Sequence, residues 1–80
     1  IINNENMNIY EIGKNAGVVW RLLSDNRDWN YNELKQASGL CDRELNAAIG
    51  WLARENKIEI ESNEGNKTER FHTPHYNKYY

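Results

Sequence analysis

Eighty residues make one domain and leave no room for two, because a chain this short buries only roughly 60 to 65% of the surface it exposes when unfolded. With 39% hydrophobic and 28% charged residues it has the balance of a globular domain, which excludes disorder as the default, and no stretch approaches the roughly 18 apolar residues of a membrane span. A formal net charge of −2 excludes strong long-range attraction for nucleic acid or an anionic surface.

The first predicted element covers residues 9–23. At about 100° per residue, Ile9, Ile12, Gly13, Ala16, Val19, Trp20 and Leu23 project onto one helical face, which is expected to be the core face. Val18 and Leu22 project to the other side, among Glu11, Lys14 and Asp25. A second apolar strip of this kind on a surface helix calls for a cover. The unpatterned run Asp25, Asn26, Arg27, Asp28 is a loop, and Trp29 is expected on a short extended stretch, a short extra strand.

Asn30 followed three residues later by Glu33 has the form of a capping box and opens a short second helix ending near Ser38, with Leu34 and Ala37 inward. Gly39 supplies the break before Leu40. The third helix starts at Cys41 or Asp42 and runs to about Glu55, with Leu45, Ala48, Ile49 and Leu52 on one face. Asp42 is the better cap by residue type, and Asn56 suits the left-handed position beyond the last turn.

From Ile58 the period changes to two. Ile58, Ile60 and Ser62 alternate with Glu59 and Glu61, Asn63 to Asn66 form a turn, and residues 67–72 return as a paired strand with Phe71 inward. Pro74 limits that strand. The expected fold class is therefore α+β, a winged helix-turn-helix of three helices and a C-terminal two-stranded wing, with the domain at residues 1–73 and an aromatic tail at 74–80.

The helix-turn-helix pattern is carried by Leu34, Ala37, Gly39, Leu40, Leu45, Ile49, Leu52 and Ile58. More narrowly, Tyr31-Asn32-Glu33-Leu34-Lys35 and Ala48-Ile49-Gly50-Trp51-Leu52-Ala53-Arg54-Glu55, followed by Lys57-Ile58, resemble a bacterial winged helix-turn-helix family of unknown function. The resemblance spans roughly residues 9–71. It implies the fold and a nucleic-acid role, and it brings no ligand, substrate or catalytic residue. Cys41 departs from the general winged pattern, in which serine or threonine caps the third helix and often contacts a phosphate.

In a DNA-binding helix-turn-helix the outward face of the third helix enters the major groove. Here that face carries Arg43, Ala47, Gly50 and Arg54 in line, flanked by Asn46 on one side and by Glu44 and Trp51 on the other. Arg43 suits guanine, Asn46 adenine and Arg54 a phosphate, while Ala47 and Gly50 permit close approach; on the wing, Lys67 and Arg70 suit phosphates. Charge argues the other way. In residues 41–57 Arg43, Arg54 and Lys57 are matched by Asp42, Glu44 and Glu55, and on the wing Glu59, Glu61, Glu64 and Glu69 exceed Lys67 and Arg70. The same arginines read equally as solvated helix residues.

A competing reading is protein interaction. Small residues flanked by arginine and tryptophan suit packing, and Phe71, His72, His75, Tyr76, Tyr79 and Tyr80 crowd the chain's last ten residues. The expectation is that Tyr76, Tyr79 and Tyr80 cover Val18 and Leu22, within one chain or across a homodimer; the alternative is a frayed terminus. A core this thin also gains from a partner subunit.

Trp20 on the core face reads as structural, and Trp51 as a wedge between the third helix and the wing or first helix. Cys41, His72 and His75 are the one conceivable metal or nucleophile set, and without a paired Cys-x-x-Cys or a fourth ligand they read as a capping-position thiol and tail histidines. No glycine-rich phosphate loop or carboxylate pair suited to acid–base catalysis is present, so no enzyme activity, metal, cofactor or small-molecule ligand is implied. Cys41 cannot form an internal disulfide, and no basic start leads into an apolar run and cleavage site, so a soluble cytoplasmic protein is expected. The chain opens on Ile1 with no initiator methionine, and residues upstream are expected to be missing. Binding to double-stranded DNA leads over a pure protein-interaction role.

Overall fold

The computed structural model describes residues 8–25, 27–63, 65 and 68–74. Three helices precede a hairpin: α1 (Ile9–Leu23), α2 (Tyr31–Ser38), α3 (Asp42–Arg54), β1 (Glu59–Asn63) and β2 (Thr68–His72). Each helix begins where the local chemistry dictates. Asn8 caps α1, its Oδ1 accepting the Glu11 amide at 2.8 Å. The expected capping box opens α2, with the Glu33 amide donating to Asn30 Oδ1 at 2.8 Å and the Asn30 amide donating to Glu33 Oε1 at 3.0 Å.

The cap of α3 is Cys41, and Asp42 is the first helical residue, one position later than its residue type suggested. Its carboxylate is drawn away from the backbone by side chains of α2, described below. The Cys41 amide instead donates to Glu44 Oε1 at 3.1 Å. Helix α2 ends on Gly39 in the left-handed region at φ 74, and α3 closes through Asn56 at φ 61. There the Asn56 amide reaches the Ala53 carbonyl at 3.0 Å and the Lys57 amide reaches Leu52 at 2.9 Å, the paired bonds of a Schellman ending.

The core is Ala16, Val19 and Leu23 from α1, Leu34 from α2, Leu45, Ala48, Ile49 and Leu52 from α3, with Trp29, Ile58 and Phe71. Helix α1 packs against both α3 and α2. Ala16, Val19 and Leu23 of the projected face are buried as expected, and the covered arc widens on the other side to Leu22, which packs against the core. Ile9 and Trp20, expected inward, are left on the margin at 70% and 40% exposed. Val18 is half-buried. Trp20 is therefore not a core residue, and the Lys57 ammonium lies 5.9 Å from its ring centroid. Trp51 wedges against α1, where a Cβ added to Gly13 would touch its ring at 3.6 Å.

On α2, Ala37 is exposed, and the stripe turned inward is Tyr31, Leu34, Lys35 and Ser38. Ala37, expected inward with Leu34, is therefore on the open side, and Ser38 takes its place on the side of α2 that faces its neighbours α1 and β2.

The hairpin is antiparallel, pairing Glu59 with His72, Ile60 with Phe71, Glu61 with Arg70, Ser62 with Glu69 and Asn63 with Thr68. Trp29 adds the expected extra strand as a single antiparallel bridge to Phe71, the two residues exchanging both amide bonds at 3.0 and 2.8 Å. Among the described residues, the wing is covered at its base. Ile58 and Phe71 are buried, whereas Ile60, expected inward from the alternation, is 42% exposed because it stands on the outer strand beyond the helices. His72 ends β2, as the returning strand was expected to, and although it was also grouped with the tail histidines it is buried.

Gly39 isolates the cost of a left-handed residue, since a Cβ there meets nothing within 4 Å. Gly39→Ala is expected to lower unfolding free energy by about 1 to 2 kcal/mol, read as a reduced urea midpoint at unchanged slope.

Candidate nucleic-acid interface

The orientation of α3 is set from two sides. Its apolar residues Leu45, Ala48, Ile49 and Leu52 bury against the core, and its first turn is held to α2 through Asp42. The Tyr31 hydroxyl donates to Asp42 Oδ1 at 2.7 Å, and the Lys35 ammonium approaches the same oxygen at 3.1 Å. Partial burial raises the Tyr31 phenol, and the neighbouring Asp42 carboxylate raises it further, to about 12. The Tyr31 hydroxyl and the Lys35 ammonium together hold Asp42 below its ordinary value. Tyrosine at the start of α2 and aspartate at the start of α3 thereby fix the angle across the helix-turn-helix.

With the inner face and first turn committed, the outward face of α3 is defined. Arg43, Asn46, Gly50 and Arg54 are exposed and Ala47 is half-buried. Among the described residues, nothing beyond the helix's own backbone and chain neighbours stands within 4 Å of the Cβ position of Gly50, so a ligand surface can approach the helix there. Asn46 also lies beside the Tyr31 hydroxyl. Of the projected line, Arg43, Gly50 and Arg54 are exposed together with the flanking Asn46, while Ala47 is partly covered.

The wing is differently disposed. Arg70 Nη1 lies 3.2 Å from Asp28 Oδ2, so its charge is matched by the loop before α2. Glu59, Glu61 and Glu69 are exposed on the same hairpin. Lys67, Tyr76, Tyr79 and Tyr80 lie outside the described residues. Val18 and Leu22, the proposed counterpart of the tail, are both half-buried.

Three features escaped sequence reasoning. The Tyr31–Asp42–Lys35 cluster joins residues up to 11 apart and leaves no local pattern. Likewise, Arg27 stacks over the Trp29 ring at 3.8 Å, and Asp25 accepts both the Trp29 indole N–H and the Arg27 guanidinium at 3.2 Å. An Asp–x–Arg–x–Trp spacing was the available signal for that second group. The Arg70–Asp28 pair spans 42 positions and depends wholly on the fold.

A helix-turn-helix with a locked interhelical turn, an open third-helix face and a C-terminal hairpin defines a winged helix domain. The family model described as Winged helix-turn-helix domain (DUF2582) matches residues 7–70. The chain belongs to that family. Among curated proteins, none matches it. Among the described residues, no helix is long and apolar enough to cross a membrane.

The Tyr31 phenol offers a direct check on the interhelical lock. Its folded-state value of about 12 stands above the ordinary 10.0. The stabilisation is therefore full below pH 10.0 and lost as pH rises towards about 12. The phenolate absorbance of the wild type minus that of Tyr31→Phe is expected to show one tyrosine ionising near the upper value. A difference spectrum centred at the ordinary value would mean that the hydroxyl is not held by Asp42.

Proposed function

We propose that this domain is a non-catalytic module that binds double-stranded DNA by placing α3 in the major groove. The observation that carries this reading is the exposed row Arg43, Asn46, Gly50 and Arg54 on a helix whose angle is fixed through Asp42. Arg43 is suited to the two acceptors of guanine and Asn46 to adenine. Arg54, at the far end, is suited to a phosphate, and half-buried Ala47 and open Gly50 let the backbone come close.

Electrostatics narrows the mode of binding. The third helix carries balanced charge and the wing an excess of glutamate, so few phosphates are neutralised and the salt dependence of affinity is shallow. Recognition then rests on base contacts and shape. To reach a phosphate, Arg70 has to share or give up its contact with Asp28.

A second reading, association with protein or with another copy of the chain, is favoured by a different observation. Ile9, Tyr10, Trp20 and Ile60 are large hydrophobic residues exposed by 70, 74, 40 and 42%. Apolar side chains of this size on a small domain favour contact with another surface. The tail residues Tyr76, Tyr79 and Tyr80, with Val18 and Leu22, belong to the same reading of a homodimer.

Labelled mixed-sequence duplex titrated with the domain at low and at higher salt, with the mass followed by light scattering, separates the two. DNA binding is expected, with a shallow salt slope. Once a preferred site is selected, Arg43→Ala is expected to cost about 1 to 3 kcal/mol there and to relax preference at one base pair. Lys67→Ala and Arg70→Ala are expected to weaken all sequences alike. Equal behaviour of the three variants contradicts this division of roles. Absence of binding at low salt together with a dimeric mass favours the second reading.

A further inference from the structure

His72 plays no part in the α3 face. It closes β2, is 1% exposed, and is the buried polar side chain of the described residues. Each of its ring nitrogens faces an oxygen. Nδ1 lies 2.7 Å from the Thr73 carbonyl, which can only accept, so Nδ1 carries a proton. Nε2 lies 3.1 Å from Glu61 Oε2. The Glu61 side chain is 62% exposed, and its carboxylate again only accepts. Both nitrogens are therefore donors, and the ring that fits this site is the imidazolium.

The contact crosses between strands. In the register His72 is paired with Glu59 and Glu61 with Arg70, so the His72–Glu61 bond runs diagonally and ties β1 to the last residue of β2. The other edge of β2 is bonded to Trp29, whereas β1 is the outer strand of a two-stranded sheet. A fastening on β1 therefore acts on the less supported half of the wing.

We propose that His72 is a proton-operated clasp of the wing: the charged ring fastens β1 to β2 through Glu61, and loss of its proton releases β1 and loosens the hairpin. A neutral ring keeps its Nδ1 proton for the Thr73 carbonyl and turns the Nε2 lone pair towards a carboxylate, so the attraction is replaced by repulsion.

The charged groups around the ring favour the fastened state. Glu61 on β1 touches it, and Glu59 stands opposite it in register. Asp28, in the loop before α2, adds its field, although its own partner Arg70 lies on β2 two residues from His72. Burial opposes protonation, but the Thr73 carbonyl, the Glu61 carboxylate and Asp28 outweigh it and hold the ring above the ordinary 6.5. The sign follows from that direction. Stabilisation by the clasp is fully present below the ordinary histidine value and is lost as pH rises through the higher folded-state value.

This clasp does not depend on DNA binding and is tested on the protein alone. Nitrogen-15 shifts of the His72 ring and hydrogen exchange of the Glu59 and Glu61 amides are followed against pH in the wild type and in Glu61→Gln, an exposed change that leaves the core intact. Both ring nitrogens are expected to be protonated at pH 6.5, and Glu61→Gln is expected to shift the midpoint down. Wild-type β1 amides are expected to lose protection, beyond the intrinsic pH dependence of exchange, as the ring titrates. The glutamine variant, which can meet either ring form, loses this extra step. A ring with a bare Nε2 at pH 6.5, or wing protection that ignores the ring's titration, overturns the proposal.

Discussion

Trp29 and Phe71 exchange both of their backbone amide bonds, at 3.0 and 2.8 Å, between side chains that are 5% and 2% exposed. A buried peptide group without a partner costs about 1 to 3 kcal/mol, so this residue pair is held tightly. It joins the helical layer to the hairpin. Trp29 immediately precedes the cap of α2, and Phe71 is central to the base of β2, so one bridge sets the position of the wing relative to the start of the helix-turn-helix. Asp25 and Arg27 hold the outer edge of the same tryptophan through the indole N–H and the ring face.

The next constraint lies between α2 and α3. Burial of Leu34 and Leu45, both fully enclosed, supplies the energy of packing, because exposed ion pairs such as Lys35–Asp42 contribute little on their own. What the Tyr31–Asp42–Lys35 cluster adds is direction. It uses the first residue of α3 as a side-chain acceptor for α2, so Asp42 does not cap its own helix and the cap falls at Cys41. The exposed row on α3 inherits its orientation from this arrangement.

Charge and shape point to different modes of recognition. The open side of α3 offers arginine and asparagine donors and close backbone approach at Gly50, but neither the helix nor the hairpin carries a basic excess. Arg70 is matched by Asp28, and Glu61 is engaged by His72. Two of the wing's charges are thus matched within the domain, while Glu59 and Glu69 stand exposed beside them. In the proposed DNA-binding role, such a charge distribution gives little electrostatic steering and leaves discrimination to fit at short range.

Much of the architecture was legible in the residues themselves, because helix starts, stops and strand alternation are set within a few positions. Asn30 with Glu33, Gly39, Asn56 and the change of period at Ile58 each act on neighbouring backbone, and each stands where it was read. The row on α3 was legible for the same reason, since one helix with a strong apolar face leaves its opposite face defined. Sequence could not show how many neighbours each element would have. With two helices against α1, Leu22 packs inward while Ile9 and Trp20 stay exposed; on α2 Ser38 rather than Ala37 is half-buried; on the outer strand Ile60 is exposed. The pairings Tyr31–Asp42, Arg70–Asp28 and Glu61–His72 belong to the same class. By itself the sequence determined the order and limits of the elements, whose causes are local hydrogen bonds and backbone conformation. Only the tertiary structure decided which faces are covered and which distant charges meet, because burial and ion pairing depend on what the rest of the chain brings alongside.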